Sequence, residues 1–295
     1  MRPHLWGIFR ERQHSPGREF DDTEILRLVA KHIEAAGYQV SLKGPDELGE
    51  AGDPGAVLMA DPLPSLVFLM CERLEALRVL GPLEMGGIPH VNPLEAVLNT
   101  YRDRMITLLT ASGTPIPESQ VILCNPSERD QLSVERWADL FPIWVKRADV
   151  HNTQTGDVEL IRSSEELQDR LVALNARGIA RAVLQRHVPG DLIKFYGVGG
   201  PDCENRQERW FRWFYHRDQE LNRYPFPEEA LHAVTQRAAI ALSLEVYGGD
   251  AIVTPRGEIF LIDINAWPSF ALFREEAASQ IATWLLHRVR RGALQ

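Results

Sequence analysis

Two aspartates and an asparagine near the carboxyl end are the residues whose types and spacing best suit chemistry. The stretch runs Gly249-Asp250-Ala251-Ile252-Val253-Thr254-Pro255-Arg256-Gly257-Glu258-Ile259-Phe260-Leu261-Ile262-Asp263-Ile264-Asn265-Ala266-Trp267-Pro268. Its apolar runs, Ala251 to Thr254 and Glu258 to Ile264, flank Arg256-Gly257 and read as a β-hairpin. In an antiparallel pair the start of one strand lies beside the end of the next, so Asp250 meets Asp263. Side chains alternate with period two, so Asn265 projects on the face of Asp263. Three hard oxygen donors on one face suit a Mg²⁺ ion that also binds phosphate oxygens. One such aspartate alone would read as a solvated strand end. The three together, with Pro268 behind them, read as a metal site.

The elements that must position these residues follow along the chain. His4 to Phe9 reads as a strand, and Asp21-Asp22-Thr23 offers N-cap chemistry for a helix. Ile25, Leu28, Val29, Ile33 and Ala36 recur at helical spacing until Gly37 stops the helix. Tyr38 to Leu42 is a second strand, and Gly44 to Gly55 is a loop. Ala56 to Met59 and Leu66 to Met70 are short apolar strands. A helix from Glu72 to Leu80 and a strand from Ile88 to Val91 follow. Strands alternating with helices predict a parallel α/β sheet over this first part. Helices are then expected from Pro93 to Leu98 and from Arg102 to Ala111, the second with Met105, Ile106, Leu108 and Leu109 on an apolar face. Strands are expected at Ser119 to Leu123 and Ile143 to Lys146, then a helix from Ser163 to Arg177. Ala182 to His187 and Leu192 to Val198 read as strands across a Pro189-Gly190 turn. Arg209 to His216, arginines interleaved with aromatics, reads as another strand. Helices close the chain at Pro227 to Leu244 and Phe270 to Arg291, the last ending basic as its dipole prefers.

Composition narrows the partners. The sequence of 295 residues is 44% hydrophobic and 25% charged, which is ordinary globular composition and enough chain for a sizeable core. Thirty-two basic against 41 acidic residues give a net charge of −9, which argues against nucleic acid as partner. The cysteines Cys71, Cys124 and Cys203 are far apart with no CxxC pair, so disulfide frameworks and zinc ribbons are disfavoured. The first residues lack an apolar run of signal-peptide length, and Leu66 to Cys71 is too short to cross a bilayer. These features predict a cytoplasmic protein without membrane partners. A phosphate loop ending in Gly-Lys-Ser/Thr, a His-Glu-x-x-His pair and a Gly-x-Ser-x-Gly elbow are all missing.

Asp263-Ile264-Asn265-Ala266-Trp267-Pro268 after an Asp-led hairpin resembles the C-terminal metal motif of the ATP-grasp superfamily. Other segments match in the expected order. Gly87 to Pro93, then Arg102-Asp103-Arg104, then Gly113-Thr114-Pro115-Ile116-Pro117 resemble the approach to the nucleotide domain. Pro142-Ile143-Trp144-Val145-Lys146 looks like the strand bearing the phosphate-binding lysine. Val183 to Lys194 resembles the hinge strand that holds adenine, followed by the strand facing the phosphates. The resemblance implies an N-terminal parallel α/β domain over 1–92 followed by a two-part ATP-grasp fold. Its central part, 93–182, carries the phosphate lysine, and its C-terminal part, 183–295, carries the metal site. The implied fold class is α/β, with an α+β nucleotide domain.

The resemblance also implies roles. Lys146 would hold α- and β-phosphate oxygens. Gln185, His187 and Val188 would border adenine, Val188 through its backbone. Asp191 is either a ribose ligand or a turn residue. Lys194 would meet the γ-phosphate, and Arg104 stands where many members carry a lysine. Arg212 would clamp the transferring group, or would simply stack among aromatics. Asp250, Asp263 and Asn265 would bind Mg²⁺, with Mn²⁺ as the alternative. Departures exist: the loop after Lys146 has Gly156 alone together with His151 and Asn152, and Ser269 follows Pro268 where many relatives have glycine. A polar loop, Arg12, His14, Ser15 and Arg18, follows the first strand, where open α/β sheets bind ligands.

Three functions compete. A carboxylate–amine (or thiol) ligase working through an acyl phosphate leads. A small-molecule kinase of the inositol-phosphate type would need a dense basic surface, for which Arg147, Arg209, Arg212, Arg217 and Arg223 are candidates. A non-catalytic nucleotide-binding module is third. The expected partners are ATP and small-molecule substrates; members of the superfamily are often homodimers, and the sequence leaves the assembly open.

Overall fold

A computed structural model describes residues 3–11, 19–49, 56–59, 62–128, 134–149, 154–200 and 210–292. His151, Asn152, Arg209, Cys203 and the loop residues Arg12, His14, Ser15 and Arg18 lie outside them. Three four-stranded sheets organise the described chain.

The first sheet has the order β2-β1-β3-β4 and is parallel throughout. Its strands are β1 (His4–Ile8), β2 (Gln39–Lys43), β3 (Leu66–Leu69) and β4 (His90–Val91). Period-two alternation divides its side chains. Leu5, Leu66 and Phe68 face one core with Ile25, Leu26, Val29 and Ile33 of helix α1 (Glu19–Ala35). Trp6, Ile8, Val67 and Leu69 face another core with Leu77, Leu80 and Leu83 of α2 (Leu74–Met85). Both faces are covered, as a parallel sheet requires.

Two expectations in this part are corrected. Ala56–Met59 is a 3₁₀ turn, not a strand. Val57 is buried against α2 whereas Leu58 and Met59 are exposed. Helix α1 begins at Glu19, upstream of the expected Asp21-Asp22-Thr23 cap, and Asp22 pairs with Arg10 instead.

After α3 (Leu94–Leu98) and α4 (Arg102–Ala111), the second sheet has the order β5-β8-β6-β7 and is antiparallel. It holds β5 (Ser119–Leu123), β6 (Ile143–Arg147), β7 (Val158–Ile161) and β8 (Arg181–Arg186). Helix α5 (Ser164–Ala176) covers its outer face, with Ser163 accepting the Glu166 amide as N-cap.

The third sheet has the order β10-β9-β11-β12, also antiparallel. Its strands are β9 (Asp191–Val198), β10 (Trp210–Tyr215), β11 (Val246–Val253) and β12 (Ile259–Ala266). Helix α6 (Glu228–Leu242) and α4 pack on one face through Leu231, Ala238, Leu242, Met105 and Leu109. The final helix α7 (Arg274–Gly292) lies between the third sheet and the first, in one core with Tyr196, Val198 and Val246 on one side and α1 on the other. The C-terminal helix thus joins the first sheet to the third. No described helix is long and apolar enough to cross a membrane.

Candidate active site

The register of the third sheet builds the centre of the site. Asp250 pairs directly with Asp263 across β11 and β12, and also with Lys194 across β11 and β9. Cross-strand partners share a face, so Lys194, Asp250 and Asp263 form one row. The next row is Arg212, Tyr196, Gly248 and Asn265, on the same face by period two. The sequence-derived grouping of Asp250, Asp263 and Asn265 is therefore realised by backbone pairing. Gly248 is required in this row. A Cβ there would stand 2.7 Å from both Pro268 Cγ and Tyr196 Cδ1, so only glycine lets Pro268 lie on the sheet.

Both carboxylates carry cations. Lys194 Nζ donates to Asp250 Oδ1 at 2.7 Å, and Arg102 Nη2 donates to Asp263 Oδ2 at 3.3 Å. Arg102 also donates to the Arg147 carbonyl at 3.2 Å. Among the described residues no three His, Cys, Asp or Glu gather as a metal cage. Two carboxylates with Asn265 nevertheless suit Mg²⁺, which commonly takes one or two carboxylates and completes its octahedron from phosphate oxygens and water.

The second sheet supplies the opposite wall. Ile143 and Val145 point into its outer core, so Trp144 and Lys146 point the other way, alongside Val183 and Gln185 of β8. Lys146 is buried, and its Nζ donates 3.1 Å to the Ile262 carbonyl of β12, spanning the two antiparallel sheets. Burial lowers its pKa from 10.5 to about 8; Asp263 opposes that shift, Arg102 adds to it and Asp250 opposes it. Gln185 is buried and donates to Ser119 Oγ at 3.1 Å. Trp144 Nε1 donates to His187 Nδ1 at 3.2 Å, and burial lowers the His187 pKa. Val188 follows, half-buried.

Three of the expected residues are not drawn into this group. Arg104 pairs with Glu95 at 2.7 Å on the exposed side of α4. Arg102, two residues earlier, takes the buried place. Helical spacing could have found it, since Arg102 lies three, four and seven residues before Met105, Ile106 and Leu109 on the buried face. Arg212 shares the row of Asn265 from edge strand β10, but its side chain turns to Glu276 of α7 and lies 5.6 Å from the Trp210 ring centroid. Asp191 is fully buried, and its two oxygens accept the amides of Asn222 and Tyr224 at 2.9 Å each. It anchors that loop, which matches the turn reading better than the ribose reading.

The chain between Lys146 and β7 is anchored by a buried carboxylate. Asp157 is inaccessible to solvent, accepts the Gln154 amide and pairs with Arg147 and Arg177. Strand β7 was not foreseen. It is a four-residue edge strand without clean alternation.

A parallel α/β sheet followed by two antiparallel sheets that face each other across a cation-lined cleft defines the ATP-grasp fold. Solved structures share it over essentially the whole chain. The D-alanine-D-alanine ligase from Coxiella burnetii superposes with a TM-score of 0.73 at 14% identity, covering 99% of this chain and 97% of that one. The RimK domain protein ATP-grasp from Sphaerobacter thermophilus gives 0.67 at 18% identity, covering 96% and 99%. The D-alanine--D-alanine ligase from Bacillus anthracis complexed with ATP gives 0.68 at 13% identity, covering 99% of each chain. No family model matches the sequence, and no curated protein matches it significantly.

Proposed function

We propose that this chain is an ATP- and Mg²⁺-dependent ligase joining a carboxylate to an amine, or to a thiol, through an acyl phosphate. The observation that carries the reading is the facing of Lys146 on the second sheet against the Lys194–Asp250–Asp263 row on the third. A triphosphate in that cleft would exchange places with the carboxylates as the partner of these cations. Lys146, Lys194 and Arg102 would hold phosphate oxygens, while Asp250, Asp263 and Asn265 would hold the metal. The metal would neutralise charge on the transferring group. Gln185, His187 and the Val188 backbone would border the base on the drier second sheet.

A substrate carboxylate oxygen would attack the γ-phosphorus and ADP would leave. The amine would then attack the acyl carbon, forming the C–N bond as the C–O bond to phosphate breaks, with the amine's proton passing to solvent. No side chain need become a covalent nucleophile, so catalysis is positioning plus fixed charge. The kinase alternative would draw on basic residues that already have acidic partners. Arg147 pairs with Asp149 and Asp157, and Arg212 with Glu276.

Thermal melting with ATP and Mg²⁺, on the natural chain and on Asp263→Ala, tests the site. A ligand that binds only the native state raises the melting temperature. The expected result is a shift that needs Mg²⁺ and vanishes in the variant. No shift at millimolar ATP in a folded protein would sink the reading. A substrate screen that follows phosphate release should find it only when an acceptor amine or thiol accompanies a carboxylate. A stable phosphorylated product would favour the kinase instead.

A further inference from the structure

Arg10 is a buried charge that the proposed chemistry leaves unused. It follows β1 at the carboxyl end of the first sheet, and its side chain is 8% exposed. Its guanidinium reaches three ways. Nε stands 3.2 Å from Asp22 Oδ2, Nη1 stands 3.3 Å from Glu72 Oε2, and Nη2 donates to the Trp267 carbonyl at 2.8 Å. Two acids on the first sheet's side thus aim a fork at one backbone oxygen of the segment leaving β12.

That segment is held in an unusual shape. Trp267 has φ +41°, in the left-handed region where a bulky residue is strained. It persists because its surroundings hold it. The ring stacks on Phe68 at 5.9 Å between centroids, Nε1 donates to the Val91 carbonyl at 3.0 Å, and the side chain is fully buried. Its amide donates to the Val246 carbonyl, which also accepts from the Asn92 side chain. Every holder except Val246 comes from the first sheet or the residue after it. Asn265 lies two residues upstream of the gripped carbonyl.

We infer that Arg10 is a positioning residue. It fixes the Trp267 carbonyl and so the direction in which Asn265 enters the metal–phosphate site, without touching nucleotide. The inference rests on the proposed function and deepens it by making the N-terminal sheet part of the metal site's support. Partners that orient ligands typically change metal affinity by about 10–100-fold when lost.

The test is a Mg²⁺ titration at saturating, non-hydrolysable ATP analogue, read as melting temperature. Arg10→Met alone would leave Asp22 and Glu72 buried without their cation, so it is combined with Asp22→Asn and Glu72→Gln. Arg10→Lys is the second variant. It keeps the charge, but a compact ammonium cannot fork to two acids and a carbonyl together. Both should need about tenfold more Mg²⁺ or above for the half-maximal shift. Arg288→Met, which loosens the Arg288–Glu245 pair at 3.4 Å on α7, is the structural control. It should lower the melting temperature and leave the Mg²⁺ midpoint alone. An unchanged midpoint in either folded Arg10 variant overturns the inference while the ligase reading stands. Absence of any Mg²⁺-dependent shift in the natural chain removes both.

Discussion

The second and third sheets are built alike and furnished differently. Each is four-stranded and antiparallel with one face covered by helix; the other face of the second sheet turns to the cleft, and that of the third is shared between the cleft and α7. The cleft face of the second sheet is dry. Its polar members Lys146 and Gln185 are 7% and 3% exposed, among Ile106, Val121 and Val183. The third sheet carries a wetter row, with Lys194 and Asp250 side chains 32% and 24% exposed. A lysine on the dry wall has its charge opposed by burial, and one on the wet wall sits in an ion pair. The difference suits two ends of one ligand, a flat apolar base on the first wall and a charged, metal-bound phosphate chain on the second.

Lys146→Met should break the comparison hardest. Charge-assisted hydrogen bonds contribute about 1.5–3 kcal/mol, so nucleotide affinity should fall by roughly 10–100-fold. The melting temperature of the empty protein should not fall, because methionine carries no desolvated charge. Calorimetric titration and a melt on the same sample check both. A stability loss with intact affinity would make Lys146 a structural strut.

Asp191→Asn should do the reverse. Two backbone amides would lose their charged acceptor in a buried place, at a cost of about 1–3 kcal/mol. Denaturant unfolding should register that loss, with nucleotide affinity nearly unchanged. A large affinity loss at unaltered stability would restore Asp191 as a ribose ligand.

The lowered pKa of Lys146, about 8, sets a pH window. Below it the empty protein holds the ammonium; above it the amine prevails. Bound phosphate favours the ammonium and raises the pKa, so binding above pH 8 takes up a proton. Affinity should therefore decline as pH rises past that point. Calorimetry near pH 8.5 in two buffers of different ionisation enthalpy would reveal the uptake, and Lys146→Met should abolish it.

The smallest effect belongs to the edge of the third sheet. Arg212→Ala removes an exposed pair with Glu276, worth less than about 1 kcal/mol, and should leave nucleotide affinity alone. Steady-state kinetics decide this point: a large fall in kcat would return Arg212 to the transferring group.

Local pattern alone determined a good part of this protein. Alternating strands and helices gave the parallel N-terminal sheet. The hairpin turn and the face that Asn265 shares with Asp263 are properties of a few consecutive residues, but the register shift between Asp250 and Ala251 that sets Asp250 opposite Asp263 is not. Helix α4 was legible to the residue from its apolar spacing. Tertiary structure decided which charges meet. Helical spacing sets Arg102 rather than Arg104 on the buried face of α4, but only packing against β12 gave it Asp263 as partner. Asp191 and Asp250 both read as strand-start aspartates in the sequence, yet a loop some thirty residues on claims one, and the other lies inside β11 paired with a lysine on a neighbouring strand. Arg10 reaches a carbonyl 257 positions away. Such partners are set by how sheets and helices stack, and no local periodicity encodes a contact between segments so far apart.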